Sequence, residues 1–138
     1  MDSQTTSPTD TTQPTSGLRI LVVDDSKMTR AMIRRSIMLS GVEAEIDEAC
    51  DGLEALDRLR ENSGYGVCFL DLNMPRLGGV EVAKAVCGDE AMNTRIVIVS
   101  SEAMAKRIDD LREAGVAGYI RKPFKPEAIR DVLTRIAA

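Results

Sequence analysis

The sequence predicts an α/β fold, a doubly wound sheet of five parallel strands. Three observations point there. Five short apolar runs alternate with segments of helical periodicity from Leu18 onward, an order that calls for right-handed crossovers. Four of the runs are apolar enough to be buried on both faces, as strands of a central parallel sheet are. Polar residues of related chemistry stand where the runs stop, the edge at which open α/β sheets bind ligands.

Residues 1–17 contain no Lys or Arg, two Asp, and otherwise mostly Ser, Thr, Gln and Pro. Such a stretch buries too little to offset its ordering entropy, so it reads as a disordered leader, with the domain spanning 18–138. It lacks the basic start and apolar centre of a signal peptide. The first strand is "RILVV" (19–23). Across residues 27–40, Met28, Ala31, Met32 and Leu39 share one helical face. The second strand is "AEIDE" (44–48), and "DGLEALDRLRE" then offers Leu53, Leu56 and Leu59, with Asp51 and Glu54 at capping-box spacing. "GVCFL" (66–70) and "RIVIV" (95–99) are the third and fourth strands, each followed by a helical segment, "GGVEVAKAVC" and "AMAKRIDDLREAG". Gly115 ends the latter as a C-terminal glycine. "AGYIR" (117–121) is the fifth strand. "KPEAIRDVLTRI" closes the chain with Pro126 in the first turn and Ile129, Val132, Leu133 and Ile136 on its apolar side. By periodicity Met28, Met32, Leu53, Leu56 and Ile129 belong to the core. "GYG" at 64–66 precedes a strand instead of following one, so it is no dinucleotide fingerprint.

Composition narrows the function. At 138 residues there is room for one domain with a sizeable core. Without Asp2 and Asp10 the domain has 20 acidic and 18 basic residues, and only four aromatic residues occur in the chain. No basic stripe stands out, which argues against nucleic-acid binding. No apolar run approaches a membrane span. Cys50, Cys68 and Cys87 form no C-x-x-C pair and read as buried thiols of a reducing, cytoplasmic compartment. The chain has no histidine, which excludes Ser-His-Asp and Cys-His catalysis, His-ligated zinc, and any phosphohistidine of its own.

The strand ends carry the chemistry. The first ends in Asp24-Asp25, the third in Asp71, the fourth in Ser100-Ser101 and the fifth in Arg121-Lys122. If the strand order is 2-1-3-4-5, the first and third strands are neighbours, roughly 4.8 Å apart, and Asp25 and Asp71 would face each other across the switch point. Carboxylates so close raise one another's pKa unless a cation intervenes, and a hard divalent ion such as Mg2+ suits oxygen donors. A carboxylate nucleophile beside a metal, a lysine and a hydroxyl is equipped to accept a phosphoryl group. Each feature has a plainer use: Asp25 or Ser26 could cap the next helix, and a Ser after a strand or a Lys before Pro is an ordinary turn residue. Four strand ends supplying parts of one chemistry favour the site.

"ILVVDDS", "FLDLNMPRLGG", "IVIVSSEA" and "GYIRKPF" together resemble the receiver domain of bacterial response regulators, over Leu18 to Ile136 and most closely the stand-alone chemotaxis (CheY-like) type. The resemblance implies a flavodoxin-like (βα)5 fold and a two-component phosphorelay protein that is no enzyme beyond its own phosphorylation and dephosphorylation. It implies Asp71 as acceptor of a phosphoryl group from the phosphohistidine of a histidine kinase or phosphotransfer protein. Mg2+ (or Mn2+) would be held directly by Asp25, Asp71 and the backbone carbonyl of Asn73, and by Asp24 through a water. Lys122 would pair with the phosphoryl oxygens, Ser100 and Tyr119 would form the switch, and Asn73 and Glu102 would tune dephosphorylation. Lys122–Pro123 is usually cis in such domains. A downstream target would bind the face of the fourth helix, fifth strand and fifth helix, with the protein a monomer or a phosphorylation-dependent dimer. Ser100 departs from the more frequent threonine. Lys125 departs from the usual capping residue, which weakens that cap by about 1 kcal/mol. A Mg2+-dependent aspartyl-phosphate phosphatase is the rival, but its D-x-D-x-T follows the first strand, whereas "DLNMP" follows the third. A scaffold that never needs phosphate would leave Asp71 and Lys122 without a purpose.

Overall fold

The computed structural model describes residues 18–61, 64–101 and 108–137; the leader, Glu102 and the start of the fourth helical segment lie outside them. The elements are β1 (Leu18–Val23), α1 (Lys27–Leu39), β2 (Ala44–Ala49), α2 (Gly52–Glu61), β3 (Val67–Leu70), α3 (Gly79–Cys87), β4 (Arg95–Ser100), α4 (Ile108–Ala114), β5 (Gly118–Arg121) and α5 (Pro126–Ala137). All strand pairs are parallel, as the strand–helix alternation predicts, and the order is β2-β1-β3-β4-β5.

Alternate residues of each central strand feed two cores. Leu21, Val23, Cys68, Leu70, Ile96 and Ile98 point to the α2–α4 side, where Leu56, Leu59, Val82 and Leu111 cover them. Ile20, Val22, Phe69, Val97 and Val99 point to the other side, under Ile33 and Ile37 of α1 and Ile129 and Leu133 of α5. Burial on both faces is why these runs contain almost no polar residue.

Register places the strand ends in step. Val23 pairs with both Ala49 and Leu70, and Ser100, the last residue of β4, pairs with Arg121. The ladder then runs one bond further on each side of β1. The Asp24 N–H donates to the Ala49 carbonyl at 3.2 Å, and the Asp71 N–H to the Val23 carbonyl at 3.0 Å. Both aspartates are thus fixed at their backbones by the sheet.

Several local expectations need correction. Met28 is 74% exposed, Met32 46% and Leu53 44%, so none of the three is core; Leu39 and Ala31 are exposed as well. Helix α1 is apolar on two opposite sides, and the side that turns inward carries Ile33, Ser36 and Ile37. In this orientation Arg30 and Arg34 both pair with Glu48 of β2. On α2, Gly52 faces inward against the backbone of Leu77, and the next residue, Leu53, is rotated about 100° out of the interface. Leu56 and Ile129 are buried as expected. Of the cysteines only Cys68 is fully buried; Cys50 is exposed and Cys87 half-buried.

The helix ends follow the sequence signals closely. Ser26, not Asp25, caps α1 by accepting the Thr29 N–H. Asp51 caps α2 through the Glu54 N–H, while the Glu54 side chain accepts from the Cys50 N–H, one residue before the cap. Gly115 takes φ +113° after α4, and Pro126 opens α5. Lys122–Pro123 is cis.

Candidate functional site

The carboxyl end of the sheet gathers the predicted residues in one cleft of about 290 Å³, lined by Asp24, Asp25, Asp71, Asn73, Ser100 and Lys122 among others. One carboxylate oxygen from each of Asp24, Asp25 and Asp71 lies within 4.8 Å of the other two. Asp24 and Asp71 are buried and Asp25 is exposed at the mouth. Lys122 Nζ donates to Asp24 Oδ2 at 2.9 Å and lies 3.5 Å from Asp71 Oδ1. The other Asp24 oxygen accepts the Ser26 N–H at 2.8 Å.

Burial pushes the Asp71 carboxyl above the ordinary aspartate range, and the charge of Asp24 adds to this; Lys122 and the Asn73 N–H act against it without cancelling it. Burial alone would lower the Lys122 ammonium, but its bond to Asp24 and the charges of Asp71 and Asp24 outweigh that and raise it. One ammonium therefore faces three carboxylates, and a divalent cation is the simplest complement for the excess negative charge. The donors are all oxygen, with neither His nor Cys among them, which fits a hard ion such as magnesium or manganese. The Ser100 hydroxyl is buried beside them and finds no hydrogen-bond partner among the described residues. Buried hydroxyls without a partner are rare, and this one has room to donate to a water or a ligand oxygen in the cleft. Tyr119, on the adjacent strand, reaches back to the Ser100 carbonyl at 3.5 Å. Glu102 lies outside the described residues.

Two residues that sequence reasoning passed over also shape the site. Arg30 of α1 donates from Nη1 to the Asp24 carbonyl at 2.6 Å and from Nε to Glu48 at 2.8 Å. Glu48 is held in turn by Arg34 Nε at 2.9 Å. The only signal was the spacing of Arg30 and Arg34, four apart on one helix, with an acid near the end of the neighbouring strand.

Residues 20–134 match the response regulator receiver domain family. The chain belongs to that family. This receiver is 32% identical over 117 residues to the chemotaxis protein CheY1 of Helicobacter pylori, covering 84% of the chain and 94% of that protein. It is also 32% identical over 125 residues to the osmosensing histidine protein kinase SLN1 of Saccharomyces cerevisiae, 88% of the chain but 10% of the kinase. Among solved structures, the chemotaxis response regulator CheY4 of Vibrio cholerae superposes with a TM-score of 0.74 at 31% identity, covering 87% of this chain and 98% of that one. The signal receiver domain of the putative response regulator NarL from Mycobacterium tuberculosis gives 0.78 at 28% identity, with 89% and 98% covered. Fold and family are thus those of CheY-like receivers. Among the described residues, no helix is long and apolar enough to cross a membrane.

Proposed function

We propose that this receiver takes a phosphoryl group onto Asp71 from the phosphohistidine of a histidine kinase or phosphotransfer protein, and that the modification switches the binding of a target protein. The observation that carries this reading is the buried, unpartnered Ser100 hydroxyl beside the Asp24–Asp25–Asp71 trio and Lys122. In the transfer an ionised Asp71 oxygen bonds to phosphorus, the P–N bond breaks, and the imidazole leaves with the electron pair. Lys122, already between Asp24 and Asp71, would pair with the phosphoryl oxygens, and Ser100 would donate its hydroxyl to one of them. Asp25, Asp71 and the Asn73 carbonyl would hold Mg2+ (or Mn2+) directly and Asp24 would hold it through a water; when bound, the ion supplies positive charge against the carboxylates and phosphate.

The new charge then has a route to the surface. Tyr119 of β5 donates its hydroxyl to the Ser100 main-chain carbonyl, so a shift of Ser100 toward the phosphate would disturb that contact and be felt on β5. A two-state equilibrium biased at that pair would present the α4–β5–α5 face to the target. The chain's own chemistry is limited to its phosphorylation and dephosphorylation, with Asn73 and Glu102 tuning the latter.

Incubation with acetyl phosphate and Mg2+, followed by intact mass measurement, should add a single phosphoryl group to the wild type and none to Asp71→Asn. Equal labelling of the two would overturn the assignment.

A further inference from the structure

Asn73 lies in the loop between β3 and α3, and that loop is tied to a neighbouring corner by one side chain. Arg76, three residues past Asn73, donates to Asp51 Oδ2 from Nε at 3.0 Å and from Nη2 at 2.5 Å. The two oxygens of Asp51 are divided between tasks, since Oδ1 caps α2 through the Glu54 N–H at 2.9 Å. Asp51 is buried and its carboxyl is held below the ordinary range by the Glu54 N–H and Arg76, so it is an ionised anchor. One residue on, Gly52 packs so close to the Leu77 carbonyl that a Cβ there would collide with it.

The backbone of Arg76 is unusual as well. Its φ is +66°, and among the described residues it is the one non-glycine residue with positive φ. This left-handed conformation is strained for a residue with a Cβ, and Gly or Asn would adopt it more easily. A turn that needed only the conformation would be better served by either of them. The arginine side chain, 61% exposed but paired with the buried Asp51 carboxylate, offers a use that offsets the strain.

We propose that Arg76 is a positioning residue for the metal site: its ion pair with Asp51 seats the loop on the α2 corner and so fixes where the Asn73 carbonyl points. The inference rests on the reading of Asn73 as a metal ligand. Removing the side chain while keeping the backbone conformation leaves Leu72 in the core and Met74 and Leu77 packed against it, but unties the loop from Asp51, so the Asn73 carbonyl gains freedom to turn away from the acidic trio.

Calorimetric titration of the full chain with Mg2+, alongside melting in EDTA, tests it with Arg76→Gly, Arg76→Lys and Asp51→Asn. Arg76→Gly keeps the positive φ without strain, and Asp51→Asn keeps the helix cap. The Mg2+ Kd should rise roughly three- to tenfold in each of these two, the lower side of what outer partners of metal ligands contribute. The double variant should be no weaker than the weaker single, because both remove the same pair. Arg76→Lys should recover part of the affinity, as a point charge without the fork. Unchanged Mg2+ affinity in folded Arg76→Gly, or additive losses in the double variant, would overturn the proposal. Failure of the wild type itself to bind Mg2+ would remove the metal reading and this inference with it.

Discussion

Arg30 of α1 donates to the main-chain carbonyl of Asp24 at 2.6 Å while Glu48 of β2 grips the same guanidinium at 2.8 Å. Every polar group of Asp24 is thereby engaged: its N–H by Ala49, its carbonyl by Arg30, its carboxylate by Ser26 and Lys122. Arg30→Ala leaves that carbonyl without its donor and Glu48 with Arg34 alone. A largely buried hydrogen bond from a charged donor supports an expected loss of about 2 kcal/mol in urea unfolding with EDTA. Arg30→Lys should recover less than half, because an ammonium cannot span both acceptors in one plane. A loss within ~0.5 kcal/mol would show the contact to be energetically idle.

Lys122 is the internal counter-ion of the acidic trio, so its removal should matter most when no metal is present. Lys122→Met is expected to lower Tm in EDTA by roughly 5 °C or more, and saturating Mg2+ should recover most of that difference. A deficit of equal size in EDTA and in Mg2+ would rule out this account.

Asp71→Asn should have the opposite effect on stability. The Asp71 carboxyl titrates above its ordinary value, so the folded state holds that proton more tightly than the unfolded state does. For this group stability is present at low pH and lost as pH rises from the ordinary value of about 3.9 through the folded one. At neutral pH an uncharged asparagine removes that cost, and the metal-free variant should melt a few degrees above wild type while losing phosphorylation. A lower Tm in EDTA would contradict the direction inferred from burial.

The two apolar sides of α1 and α5 make a direct contrast. Ile129→Ala, at a fully buried position, should cost about 2–5 kcal/mol. Met28→Ala, at an exposed one, should stay within about 0.5 kcal/mol. Chemical denaturation with unchanged slope checks both.

Acid should weaken the fold through a different set of carboxylates. Asp51 is lowered by the Glu54 N–H and Arg76, and Asp47 by the Tyr65 hydroxyl; for Glu48, burial opposes a lowering imposed by Arg30 and Arg34. Depressed carboxyls contribute stability that is present above about pH 4 and lost as pH falls through their folded values. The urea midpoint should therefore drop between about pH 5 and 3, and Asp51→Asn should make that drop shallower. An identical slope in the variant would mean that Asp51 keeps no ion pair in solution.

The parallel sheet was legible because four runs are apolar on both faces, its strand order came with the family resemblance, and the site was legible because four strand ends offered parts of one chemistry. What stayed hidden depends on partners distant in sequence. In "KMTRAMIRRSIML" apolar residues lie on two sides of the helix, so periodicity could not choose between the methionine side and Ile33 with Ile37. In the orientation adopted, Glu48, on another element, accepts both arginines. Arg76 likewise reads as a solvated turn residue until Asp51, 25 positions earlier, comes beside it.

The backbone bonds that join Asp24 to β2 and Asp71 to β1 carry a consequence for timing. Because the sheet ladder itself ends in these two residues, their α-carbons move only as the central strands move. On the proposed reading the acceptor backbone is already in place before a phosphodonor docks. The delay between encounter and reply would then be set by diffusion and by rearrangement at Ser100 and Tyr119, and not by construction of the acceptor.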